Sequence, residues 1–209
     1  VLAQDGRTMN TKAADFLAQM PADDLEYRDR LMNEFFLLGP EGFQIIASQL
    51  TPPGEGDDTA IRFAVNSFSR YASEHGKEEV RIFAETQLLK ALEDHTDPEV
   101  KAFLLLQLNL IAGDKTVIAV KKYLTDERLS EPAAQVLLSV RGEHAKQALL
   151  EALPRGDEDV QMTLVKALGE LECSEAIPQI IPMVNAENPR LQKTVLAALA
   201  GIGDPDSYK

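Results

Sequence analysis

Three histidines, one cysteine and thirty-four Asp and Glu are the side chains in this 209-residue chain that could hold a metal, move a proton or attack a carbonyl. His75, His95 and His144 stand 20 and 49 residues apart, so no two share a helical turn and none forms a pair spaced for zinc. His75 and His95 fall near expected helix ends, where an imidazole ordinarily meets terminal carbonyls. No His-Glu-x-x-His, Gly-x-Ser-x-Gly, phosphate-loop or dinucleotide-binding glycine pattern occurs, and Gly201-Ile202-Gly203 reads as a helix stop. Cys173 precedes a helix expected from Ser174. A helix N-terminus lowers a thiol pKa, so a reactive thiol is one reading. No histidine lies near it in sequence, and a packed small residue at a turn is the reading that fits better. A lone cysteine excludes a disulfide framework within the chain and a cysteine-rich zinc site.

Two acidic clusters, Glu55-x-Asp57-Asp58 and Asp157-Glu158-Asp159, offer oxygen ligands for calcium, but neither follows the EF-hand spacing. Both directly precede expected helices, where carboxylates accept the free backbone N–H groups and complement the helix dipole. The expectation is therefore no catalytic residue, no cofactor and no metal. All eight Phe lie between residues 16 and 103, which predicts a bulkier core in the first half. An exposed aromatic patch for a peptide or sugar is the alternative, and it needs several of these rings at the surface.

The chain carries 21 Lys and Arg against 34 Asp and Glu, a net charge of −13. That charge opposes nucleic-acid binding through phosphate neutralisation and adhesion to anionic lipid. No run approaches the roughly 20 apolar residues of a membrane span, so membrane insertion is not expected. Residues 1–58 hold four basic and eleven acidic side chains, residues 59–125 nine of each, and residues 126–209 eight and fourteen. A neutral middle containing Lys115, Lys121 and Lys122 thus lies between two acidic arms. An acidic partner would meet least repulsion there.

The elements that position these groups are helical. Apolar residues recur at spacings of three and four, and no alternating β-branched run with a hairpin turn is found. Gly, Pro and Asp punctuate the pattern. The spacing predicts helices over 8–20, 22–38, 41–50, 58–75, 78–93, 97–112, 114–124, 129–140, 143–153, 158–171, 174–184 and 189–202. Thr51 to Asp57 is the one clear loop, with Asp58 as the expected cap of the helix after it.

These helices pair, and the pairs repeat. First helices carry an apolar anchor after an acidic or Asn cap: Ile61, Val100, Leu129, Val160 and Leu191, spaced by 39, 29, 31 and 31. Second helices end at Leu92, Leu124, Leu153 and Val184, spaced by 32, 29 and 31. A period of this size with two helices per unit predicts an α-solenoid, because a short helix pair cannot bury its apolar face except against a neighbouring pair. Gly142 and Gly169 are expected to let the chain turn between paired helices.

Asp97-Pro98-Glu99-Val100-Lys101-Ala102, Asp157-Glu158-Asp159-Val160 with Ala167-Leu168-Gly169, Ala176-Ile177-Pro178 and Asn188-Pro189-Arg190-Leu191 together resemble the HEAT-repeat family. The match is good over 97–203, fair over 58–93 and weakest over 1–50. The resemblance implies an all-α, right-handed α-α superhelix, a HEAT/armadillo-like solenoid of about five to six helix pairs. Residues 1–57 would form an irregular helical cap continuous with repeats over 58–209. Repeat scaffolds host many tasks, and the resemblance implies a non-catalytic scaffold for a protein or peptide partner. HEAT-like solenoids also include phycobilin lyases and a DNA-alkylation glycosylase family. The glycosylase needs a basic groove, which −13 opposes, and no pigment contacts identify a lyase.

The N-terminal part, with Leu31-Met32-Asn33-Glu34, Gly39-Pro40-Glu41-Gly42 and Pro52-Pro53-Gly54, is similar to HEAT-type leader modules of large secreted bacterial proteins, some of which carry a sugar-active hydrolase domain. That similarity implies an accessory module whose partner is a C-terminal domain of the same polypeptide, and a periplasmic or secreted location. The start Val1-Leu2-Ala3-Gln4 fits either the remnant of a signal cleavage or an arbitrary boundary, and Gly203-Asp204-Pro205-Asp206 reads as the opening of another turn. For a scaffold, the polar sides of the second helices mark Lys121, Lys122, Lys146, Gln147, Glu151 and Gln179 as the expected partner-binding residues.

Overall fold

The structure, a computed structural model, describes residues 6–22 and 24–203. The start at Val1 to Gln4 and the ending at Asp204 to Asp206 lie outside the described residues. Among the described residues twelve α-helices follow in order: α1 Met9–Leu17, α2 Leu25–Leu37, α3 Gly39–Ala47, α4 Thr59–Ala72, α5 Glu78–Asp94, α6 Pro98–Leu108, α7 Asp114–Val120, α8 Ser130–Val140, α9 Glu143–Ala152, α10 Glu158–Glu170, α11 Ile177–Ile180 and α12 Pro189–Ile202. No strand occurs among the described residues. The chain is all-α, as the spacing predicts. It divides into two compact units, residues 1–111 and 112–209.

Several helices begin where polar side chains satisfy free N–H groups. Asp97 accepts from Glu99 and Val100, Asp157 from Val160, and Asn188 from Arg190. Asp126 fills the equivalent place one repeat earlier by accepting from Arg128 and Leu129. Each of these side chains stands three residues before a buried anchor, Val100, Leu129, Val160 or Leu191. Cap and anchor thus fix the start and the rotation of the same helix.

Four local expectations are corrected. Asp58 does not cap α4; its carboxylate accepts from the Thr51 N–H at 3.1 Å and from Arg62 Nε at 2.9 Å, and Asp57 accepts from Thr59 instead. The helix expected over 174–184 is broken. Pro178 and Pro182 cannot donate backbone hydrogen bonds, so four α-helical residues stand between 3-10 turns Ser174–Ala176 and Ile181–Asn185. Arg141, at φ 58°, makes the turn between α8 and α9, while Gly142 is extended. Gly169 lies inside α10, where a Cβ would come within 2.8 Å of Ala198 Cα on α12. Its missing side chain is used for close helix approach and not for a turn.

In the first unit, α2 packs on α4 and α4 on α6, while α1 packs on α3 and α3 on α5. The centre is aromatic. Phe16, Phe35, Phe43 and Phe68 are fully buried. Their rings meet at centroid distances of 4.8 Å for Phe16–Phe35, 5.2 Å for Phe35–Phe43 and 4.9 Å for Phe35–Phe68. Phe83 joins edge-on at 6.0 Å from Phe68. The bulkier first-half core is therefore observed, and each buried ring contributes on the order of 1.5–3 kcal/mol.

In the second unit, first helices stack on first helices, α8 on α10 and α10 on α12, while α7 packs on α9. The core is aliphatic and small. Ala133, Val136, Leu137, Leu164, Val165, Leu168, Val195 and Leu199 are among its buried members.

Candidate functional site

The second helices of the second unit carry every expected partner-binding residue. Lys121 and Lys122 sit in the 3-10 turn Lys121–Tyr123 that continues α7, and both are exposed. The Lys122 ammonium lies 5.1 Å from the centre of the Tyr123 ring. Gln147 and Glu151 are exposed on α9, one turn apart, and the Gln147 amide donates to the Glu151 carboxylate at 3.0 Å. Lys146 is half-buried and pairs with Glu143 at 3.1 Å. That hydrogen bond and charge push its pKa up. Gln179 is exposed on α11.

Repeat spacing aligns Lys122, Gln147 and Glu151 with further exposed positions. Ile118, Gln147 and Pro178 are separated by 29 and 31 residues, as are Lys122, Glu151 and Pro182. All six are exposed. Equivalent positions therefore run basic and apolar on α7, polar and acidic on α9, and proline-rich on α11. Ile118 was not among the expected residues. The signal that marks it is an isoleucine at the repeat position where the next repeat has Gln147.

Several of the groups that could do chemistry are occupied structurally. The Cys173 side chain is fully buried, and its thiol donates to Glu175 at 3.5 Å. Burial raises its pKa, with the hydrogen bond to Glu175 adding to the shift, so the helix-start activation does not operate. His95 Nε2 lies 2.9 Å from the Ala47 carbonyl at the end of α3, the helix-end contact its position implies. His144 Nδ1 lies 3.6 Å from Asp114. In the acidic clusters, Asp57, Asp58 and Asp157 bond backbone N–H groups, and Asp58 also holds Arg62. Among the described residues no three His, Cys, Asp or Glu are grouped to hold a metal ion. No helix among them is long and apolar enough to cross a membrane.

Two open clefts lie on the first-helix side of this unit. One, of about 160 Å³, runs between α8 and α10. The other, of about 430 Å³, lies over Gly169, Ala197, Ala198 and Gly201 with Lys166 and Lys193 at its rim. Neither contains His or Cys, so neither pairs a nucleophile with an imidazole base.

Stacked first helices, capped at a 31-residue interval and anchored three residues later, are the geometry of an α-α repeat. Residues 146–209 match the family model for HEAT repeats. That stretch is similar to HEAT repeats. No curated protein matches its sequence. Among solved structures it is similar to an engineered protein crystallised by the Northeast Structural Genomics Consortium, at 18% identity and a TM-score of 0.45, over 91% of this chain and 96% of that one. The matched residues hold most of α9 together with α10, α11 and α12, so α9 and α11 carry the matched part of the exposed row.

Proposed function

We propose that this HEAT-like protein is a non-catalytic interaction scaffold that binds a partner protein along the second helices of residues 112–203. The carrying observation is the row of exposed side chains at equivalent repeat positions on α7, α9 and α11. Lys122, Gln147 and Glu151 are the polar side chains in it that reach a partner, with Lys121, Gln179 and Lys146 beside it. Polar side chains already ordered by Tyr123 or by each other lose less freedom on binding.

Site-specific photo-crosslinking tests the reading. A photoreactive residue at Gln147 is expected to capture a discrete partner in the cells that make the protein. The same residue at Glu131, exposed on the first helix α8, is expected to capture none. Capture through Glu131 alone, or through neither position, contradicts the reading.

A further inference from the structure

The face of α7 differs from the rest of the second-helix row. Lys115, Ile118 and Lys122 are spaced i, i+3 and i+7, which places them on one side of the helix, with Lys121 beside them. Ile118 is 71% exposed, although a side chain of this size is ordinarily buried. Lys115, Lys121 and Lys122 have no carboxylate within 4.0 Å among the described residues. Elsewhere, Arg28, Arg62, Arg81, Lys90, Lys146 and Lys166 hold a carboxylate, while scattered basic side chains such as Arg70, Arg190 and Lys193 do not; what distinguishes α7 is that three such lysines are neighbours. Three neighbouring lysines around one exposed isoleucine, against the single carboxylate of Asp114 on the same helix, make this face locally basic in an acidic chain.

We infer that this face docks a short acidic segment of a partner protein, with one apolar side chain seated on Ile118 between carboxylates that meet the lysines. The inference rests on the scaffold reading and names the partner's chemistry. Two features choose a peptide over a nucleic acid. The net charge of −13 repels a polyanion beyond the reach of a few lysines, whereas a short segment meets only the local positive face. The isoleucine offers a contact that a phosphate backbone cannot use. Helix-dipole complementarity accounts for lysines at the end of α7, but it does not account for an exposed isoleucine on the same side.

Selection from a displayed library of random short peptides against the whole protein tests this. The expected binders are acidic with a central Leu, Ile or Phe, and their affinity falls steeply with salt. Ile118→Asp and the double variant Lys121→Glu, Lys122→Glu are each expected to weaken the selected peptide about tenfold or more. Lys193→Glu, on α12, is expected to leave it unchanged. All four substitutions are at exposed positions, and unchanged thermal midpoints exclude a folding effect. Basic or neutral binders, full binding by the α7 variants, or displacement of the peptide by oligothymidylate at equal charge would each overturn the inference. Capture at Gln147 that survives the α7 variants would overturn the acidic-segment inference alone. Absence of capture at Gln147 overturns the scaffold reading beneath it.

Discussion

The two units build helix pairs from different side chains. Residues 6–111 surround a cluster of phenylalanines, and residues 112–203 close around Ala, Val and Leu. The repeat interval also differs, with α4 and α5 at 14 and 17 residues against 11 and 10 for α8 and α9. Anchors in the second unit recur at 31 residues, whereas Ile61 and Val100 are 39 apart. Large rings fill irregular space, so helices around them need not keep one separation. Small side chains stabilise only at close range, so they demand it. Gly169 against Ala198 is the tightest expression of that demand, since a Cβ there would stand 2.9 Å from Ala198 Cβ.

Polar links follow the same division. In the first unit, Gln44 bonds Gln87 at 3.0 Å and Asn66 bonds Gln107 at 2.9 Å, tying α3 to α5 and α4 to α6. Arg62 joins Asp58 and the Thr51 carbonyl while lying 4.7 Å from the Phe103 ring centre, which pins the 51–58 loop to α4. In the second unit Asn188 donates to Glu158 at 2.8 Å between successive first helices, and that link is exposed. Side-chain bridges support the first unit where close backbone packing supports the second.

Truncation of the cores should separate the two units most. Phe35→Ala removes the ring that touches Phe16, Phe43 and Phe68, and is expected to cost about 3–5 kcal/mol. Leu168→Ala, in the second unit, is expected to cost about 2–5 kcal/mol and to melt residues 112–203 before the first unit. Urea unfolding followed by separate probes in each unit measures both.

A smaller effect distinguishes close packing from turn-making. Gly169→Ala is expected to cost about 1–3 kcal/mol, because α10 and α12 must separate. Gly142→Ala should stay within about 0.5 kcal/mol, since the nearest atom to its Cβ is Asp114 Oδ1 at 4.0 Å. Thermal denaturation of the two variants compares them directly; equal costs would refute the special role of Gly169.

Asp157→Ala is expected to cost about 1 kcal/mol, by freeing the Val160 N–H at the start of α10. Smallest is the effect of Cys173. Its thiol is held protonated by burial, so the folded state keeps a proton that the unfolded state releases as pH rises through the ordinary thiol range. Stability is therefore expected to fall with rising pH there, and a thiol reagent should label Cys173 only on unfolding. Rapid labelling of the native protein contradicts this.

The second unit was the more legible in sequence because its signals are local. An Asp or Asn cap with an apolar residue three positions on marks a helix start without knowledge of the rest of the fold, and Leu129, Val160 and Leu191 are all buried as that pattern requires. The breaks were less legible where two local signals compete. Pro178 and Pro182 sit within an apolar helical period, and the loss of their donors wins over the period. Asp58 has the position of a cap, but Arg62 one turn on takes its carboxylate. Gly169 looks like a helix end until Ala198, 29 residues away, is placed against it. The expected surface residues came from the polar sides of single helices. That method cannot register Ile118, whose meaning depends on its being left uncovered.

The stacking of first helix on first helix is tested most directly by nuclear Overhauser contacts between the Ala198 methyl group and the Gly169 α protons. A strong contact is predicted, because those protons occupy the space a side chain would contest with Ala198. Its absence in the folded protein, with both resonances assigned, would contradict the close approach of α10 and α12 on which the repeat geometry depends.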